Sequence, residues 1–168
     1  MRKFGVFLFV SVMIVLCSCH LFKRKSQPSQ PEQPKVPVNS IALNIGIEGE
    51  DTALLGVPFD DMLAEALKAR GYVIVKGATQ PTDMALEGKF SLVVAERSQA
   101  YGPDKFRYRI SGGLKMTKRA TGEVLIYKDI NLDAVQLGKE LAVQTVVKMA
   151  VETIVQEVLT RTIRTPGS

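Results

Sequence analysis

Between residues 84 and 132 apolar side chains occupy every second position through three successive stretches, and that alternation limits the possible folds more than any other feature. Met84, Leu86, Phe90, Leu92 and Val94 face one way, with Gly88 interrupting, while Glu87, Lys89 and Ser91 face the other. Phe106, Tyr108, Ile110, Leu114 and Met116 share a face opposite Lys105, Arg107, Arg109, Ser111 and Lys115. Val124, Ile126, Ile130 and Leu132 continue the pattern. A period of two is the mark of strands with one buried and one solvated face. Polar connections at residues 97–104 and 117–122 join the stretches into an antiparallel meander. Gly112-Gly113 predicts a bulge or bend within it.

Ahead of the meander, Ile41, Leu43, Ile45 and Ile47 alternate with Ala42, Asn44, Gly46 and Glu48, giving one more half-buried strand. The acids of Glu48-Gly49-Glu50-Asp51 lack the ligand spacing of a calcium loop and read as a solvated turn. A helix follows. Pro58 marks its first turn, Asp60 and Asp61 suit its positive end, and Phe59, Met62, Leu63, Ala66 and Leu67 recur at helical spacing. Lys68 and Arg70 suit its negative end, and Gly71 supplies the left-handed residue that closes it. Tyr72-Val73-Ile74-Val75 reads as a short buried strand. Residues 139–163 contain no Gly or Pro, and Val143, Val146, Val147, Ala150, Val151, Ile154 and Val158 line one side of a helix. Its valines lower helix propensity, so burial against the sheet must hold it. Glu157 and Arg161 are spaced as an i,i+4 ion pair. The order is β-α-β-β-β-β-α. It predicts one α+β domain over residues 40–165, a mostly antiparallel five-stranded sheet with two helices packed on one face.

The first 39 residues lie outside that domain. Arg2 and Lys3 precede an apolar run from residue 4 to 16, the charged and hydrophobic regions of a secretory signal. The run is too short to be a permanent span, which takes about 20 apolar residues. Leu16-Cys17-Ser18 followed by Cys19 resembles the lipobox of bacterial lipoproteins, with Cys where Ala, Ser or Thr is usual. The resemblance implies cleavage before Cys19, diacylglycerol on its thiol, and a fatty acyl chain such as palmitate on the new N-terminus. Residues 1–18 are then a signal peptide. Cys17 is the competing acceptor, but bulky Leu16 stands where a small residue is required. Residues 19–39 become a tether. Pro28, Pro31, Pro34 and Pro37 recur with the three-residue turn of polyproline II. Residues 20–39 at about 3.1 Å each reach roughly 60 Å. A plain unstructured linker fits the same composition.

The formal charge of +5 suggests nucleic acid until it is divided. From residue 40 onward sixteen basic residues meet sixteen acidic ones, so the domain has no excess of positive charge to neutralise phosphates. No nucleic-acid partner is expected. Both cysteines and the one histidine, His20, precede the domain. A Ser-His-Asp triad, a Cys-His pair and the usual zinc sites are therefore out of reach. We expect no catalytic residues, no metal and no cofactor. Carboxylate chemistry, a cell-wall hydrolase using Glu87 or Glu96, is the remaining enzymatic alternative.

Residues 63–75 (helix, Gly-Tyr, strand), Thr82-Asp83-Met84-Ala85-Leu86-Glu87-Gly88 and Thr121-Gly122-Glu123-Val124-Leu125 carry a family resemblance. They resemble the strand entry and hairpin turn of small α/β modules in bacterial envelope lipoproteins: CsgG-like proteins, the TolB N-terminal domain and the LpoB activators. LptE has a similar element order. No spare amphipathic strands exist for the pore of CsgG, and Cys19-His20-Leu21-Phe22 departs from the Cys-Gly start common in LptE. The resemblance implies a non-catalytic lipoprotein, held by its lipid at the outer membrane facing the periplasm. It would dock onto a protein partner in the envelope as an assembly or activation factor. An LptE-like accessory of lipopolysaccharide transport is the alternative. The expected contacts are Arg97 and Tyr101 in the 97–104 connection and the row Lys105, Arg107 and Arg109, with Lys115 beyond. The row either binds lipopolysaccharide phosphates, peptidoglycan carboxylates or an acidic partner, or it pairs with Glu87, Asp129 or Glu123, as cross-strand charges do. Phe106 and Tyr108 lie opposite the row and belong to the core.

Overall fold

Each alternating stretch becomes a strand. The computed structural model describes residues 39–49, 51–76, 81–98 and 105–163. Strand β1 (Ser40–Glu48) leads through a 3-10 turn (Thr52–Leu55) to helix α1 (Phe59–Lys68) and strand β2 (Val73–Lys76). The meander follows as β3 (Met84–Ser98), β4 (Lys105–Lys118) and β5 (Val124–Leu137), and helix α2 (Lys139–Ile163) completes the described residues. The five strands form one sheet in the order β2-β1-β3-β4-β5. β1 runs parallel to β2 and β3, while β3, β4 and β5 are antiparallel. Most paired residues lie in the meander, and both helices pack on one face, as the pattern predicts.

Helix α1 ends as its sequence requires. Gly71, at φ 88°, takes the left-handed conformation. The Gly71 N–H then donates to the Lys68 carbonyl at 2.9 Å and the Tyr72 N–H to the Leu67 carbonyl at 3.3 Å, the paired bonds of a Schellman closure. The chain re-enters the sheet directly, with Tyr72 buried and its hydroxyl bonded to the Thr162 hydroxyl of α2. β2 is not the buried strand expected at residues 72–75. It is the sheet edge, and Val73 is 46% exposed. A four-residue strand at an edge has only one neighbour to cover it.

The core lies between the sheet and the helices. Val143, Val146, Val147, Ala150, Ile154 and Val158 of α2 are fully buried over β4 and β5. Burying an aliphatic side chain gains about 1.5–3 kcal/mol. A valine in a helix loses at most about 0.7 kcal/mol of propensity, so packing wins at every such position. Phe90 of β3 meets Phe59 of α1 edge to face, with ring centroids 5.6 Å apart.

Gly112 makes room for Phe90. A Cβ there would overlap the Lys89 carbonyl oxygen and lie 2.6 Å from Phe90 Cδ1. The glycine pair is therefore not a bulge, since β3–β4 pairing runs through it as Phe90 opposite Gly112 and Lys89 opposite Gly113. The irregularities fall elsewhere, between Val94 and Glu96 in β3 and opposite Met116 and Thr117 of β4. Two further expectations change. Glu157 meets Lys128 of β5, which turns its charge inward on an edge strand. Asp51 is more than a solvated turn: it accepts a hydrogen bond from the buried Tyr108 hydroxyl and lies 3.5 Å from Lys139 Nζ. A buried phenol needs such a partner.

Candidate functional site

Because both helices cover the same side, the other face of the sheet is open among the described residues, and register determines which side chains meet on it. Asn44, Glu87, Lys115 and Tyr127 stand in one row across four strands, and Gly46, Lys89, Gly113 and Asp129 in the next. Two glycines in that second row hollow the surface into a groove of about 510 Å³, beside which Tyr127 is 80% exposed. The alternation places each of these residues on the solvated face. Only strand order and register assemble them, so the groove is not visible in the sequence.

The basic row lies further along the same face. Arg109 grips Asp133 of β5 with two nitrogens, Nε at 3.0 Å and Nη2 at 3.3 Å. Arg107 Nη1 lies 3.3 Å from Glu96 of β3. Arg107 and Arg109 therefore pair with acids, but their partners are Glu96 and Asp133 rather than Glu87, Asp129 or Glu123, and of the expected acids Glu87 stands opposite Lys115 in register. The β3 irregularity explains Glu96. Val94 still stands opposite buried Tyr108, but the shift after it places Glu96 opposite exposed Arg107, one face over from where strict alternation puts it.

The other expected contacts separate. Lys105 begins β4 between Ser98 and Leu137, Arg97 stands opposite Phe106 in register rather than opposite a member of the row, and Lys115 stands between Glu87 and Tyr127. Tyr101 and Cys19 lie outside the described residues.

Both ion pairs are roughly half exposed, so each contributes at most about 1 kcal/mol to stability. Their surroundings matter more. Val93 is 45% exposed opposite Arg109, Val135 is 48% exposed opposite Arg107, and Leu137 is 65% exposed opposite Lys105. Aliphatic side chains therefore flank two charge pairs, one of them bidentate, on a face that no described helix covers. Of the carboxylates considered for hydrolysis, Glu96 is held by Arg107 and Glu87 stands between Asn44 and Lys115. Among the described residues no group of three or more His, Cys, Asp and Glu is placed to hold a metal ion, and no helix is long and apolar enough to cross a membrane.

No family model matches the sequence, and no curated protein matches it significantly. Solved structures do match. A Xanthomonas campestris protein of the DUF330 family superposes with a TM-score of 0.52 at 11% identity, covering 80% of this chain and 91% of that one. A minor lipoprotein from Acinetobacter baumannii gives 0.51 at 9% identity, covering 73% and 91%. This chain has their fold. A Caulobacter crescentus protein described as a putative lipoprotein lies at 0.48 and 13% identity, covering 75% and 93%. Identities this low speak to architecture, and the roles of individual residues must come from the chain itself.

Proposed function

We propose that the chain is a lipid-anchored lipoprotein of the bacterial envelope that docks onto a protein machine through the open face of its sheet, as an assembly or activation factor. The observation that carries this reading is the surface around Arg107 and Arg109, where exposed Val93, Val135 and Leu137 flank two cross-strand ion pairs and no described helix covers them. Burial of those aliphatic groups would supply affinity at about 25 cal/mol per Å², and the fixed guanidiniums would set orientation. Arg107 and Arg109 each already face a carboxylate, which suits a partner surface of mixed sign better than a row of lipid phosphates. The lipobox at Cys19 supplies the anchor, and the prolines after it supply reach. A domain without His or Cys lacks the residues of a Ser-His-Asp triad or a Cys-His pair, which favours docking over catalysis.

The test is a photo-reactive residue at Val93 or Val135 of the full chain in living bacteria, with Met149 on α2 as the control. One discrete adduct with an envelope protein, seen from the two strand positions and absent from Met149, supports docking. The same diffuse adducts from all three positions would refute it.

A further inference from the structure

The opposite side of the sheet offers a second site, because β2 is shorter than β1. β2 pairs with residues 40–43 of β1, whereas β3 pairs with residues 41–48. Among the described residues, 44–48 therefore have a strand on one side only, roughly 13 Å of strand edge at about 3.3 Å per residue. The Val73 N–H donates to the Asn39 carbonyl at 3.2 Å, so alternation turns the N–H and C=O of Ile47, and before it of Ile45, toward the vacant side. Among the described residues no backbone hydrogen bond reaches them from there.

Beside this edge runs a trough of about 440 Å³, walled by Ala53, Leu55, Val57 and Pro58 opposite Ile45 and Ile47. Val57 is 50% exposed, so the wall is accessible. The rim is acidic. Asp60 lines the trough, Asp60 and Asp61 share the single amine of Lys76, and exposed Glu48 ends the strand.

We infer that this trough receives an extended segment of a partner protein, added to the sheet beside residues 44–48 in line with β2, with apolar side chains on alternate residues and a lysine or arginine at the acidic rim. Three independent properties select that occupant. Strand groups with no partner among the described residues call for another polypeptide backbone, the aliphatic wall for apolar side chains at a period of two, and the carboxylates for a cation. The inference deepens the docking reading by giving the partner a chemistry, and it rests on that reading only in taking the partner to be a protein.

The probe is a fluorescein-labelled Thr-Val-Lys-Val-Lys-Val amide, titrated into the full chain in detergent and followed by anisotropy and by hydrogen exchange at residues 44–48. Saturable binding with slowed exchange of the Ile47 amide is the expected result. An analogue N-methylated on alternate amides should bind at least about tenfold more weakly, as loss of two backbone bonds predicts. The Glu-for-Lys analogue should also bind more weakly.

Ile47→Pro removes the outward N–H without touching the ladder to β3 and should abolish protection. Val57→Asp, at an exposed wall position, should weaken binding with the unfolding midpoint unchanged. No saturable binding, or equal affinity for the N-methylated analogue, overturns the inference. Concentration-dependent protection of the same amides without peptide would assign the trough to a second copy of the chain and overturn the partner assignment. None of these failures affects crosslinking from Val93 or Val135, so the two readings fail separately.

Discussion

Gly112 and Gly113 are adjacent, yet replacing each by alanine should have opposite effects. At Gly112 the new Cβ would overlap the Lys89 carbonyl oxygen and lie 2.6 Å from Phe90 Cδ1 and 2.8 Å from Phe90 Cα. Two of those obstacles are backbone atoms of β3, directly across the ladder, so no rotamer change relieves them. The strands must separate or Phe90 must leave its contact with Phe59. Overpacking of this kind costs about 1–3 kcal/mol, and a backbone clash belongs at the upper end. At Gly113 the Cβ points to the open face and meets only Asp129 Oδ1, at an ordinary 3.6 Å. There alanine removes the entropy penalty of a strand glycine and gains up to about 1 kcal/mol. In urea, with a slope of about 1–3 kcal/mol per molar, Gly112→Ala should lower the unfolding midpoint of the full chain by roughly 1 M or more. Gly113→Ala should leave the midpoint level or raise it. Equal losses for the two variants, or no loss at Gly112, would refute the assignment of faces through β4.

Other perturbations probe other parts of the fold. Tyr108→Phe removes the buried hydroxyl that bonds Asp51 and should cost about 1–3 kcal/mol, measured as the change in unfolding free energy; a variant as stable as the parent contradicts a structural role for that bond. Lys128→Met deletes the inward charge on edge strand β5 and should increase self-association in sedimentation experiments, whereas unchanged sedimentation would mean that the edge is protected by other means. Hydrogen bonds that Lys76 donates to Asp61 and then Asp60 hold its amine above the ordinary 10.5. Its contribution is therefore complete below that value and is lost as pH rises through the raised one. Lys76→Gln should accordingly differ from the parent at neutral pH and converge with it in strong alkali, as thermal unfolding against pH will show; a constant gap would contradict the linkage.

What the residues disclose in advance is faces, and what they withhold is neighbours. Alternation placed Phe106, Tyr108 and Ile110 on the buried side and Arg107 and Arg109 on the wet one, and α1 is bracketed by Pro58, whose ring fixes φ and leaves no N–H to satisfy, and by Gly71, which takes a left-handed φ. The bounds of α2 follow from an uninterrupted helical stripe. Partner identity is different, since it depends on register. Glu96 reaches Arg107 through a one-residue irregularity that alternation cannot anticipate, and Glu157 meets Lys128 from another element instead of Arg161 one turn along. The short length of β2 is written in Tyr72-Val73-Ile74-Val75, but its place at the edge, and hence the open side of β1, comes from strand order. The same holds for the groove between Gly46 and Gly113, two glycines far apart in sequence that one sheet row brings together.

Anchoring through Cys19 is the claim on which the functional proposal depends, and intact-mass spectrometry of the chain extracted from bacterial membranes tests it most directly. The predicted species begins at Cys19 and carries a diacylglycerol and an N-terminal acyl chain, and Cys19→Ala releases a folded protein from the membrane. A membrane-bound chain without lipid, or a Cys19→Ala variant retained as well as the parent, would contradict it.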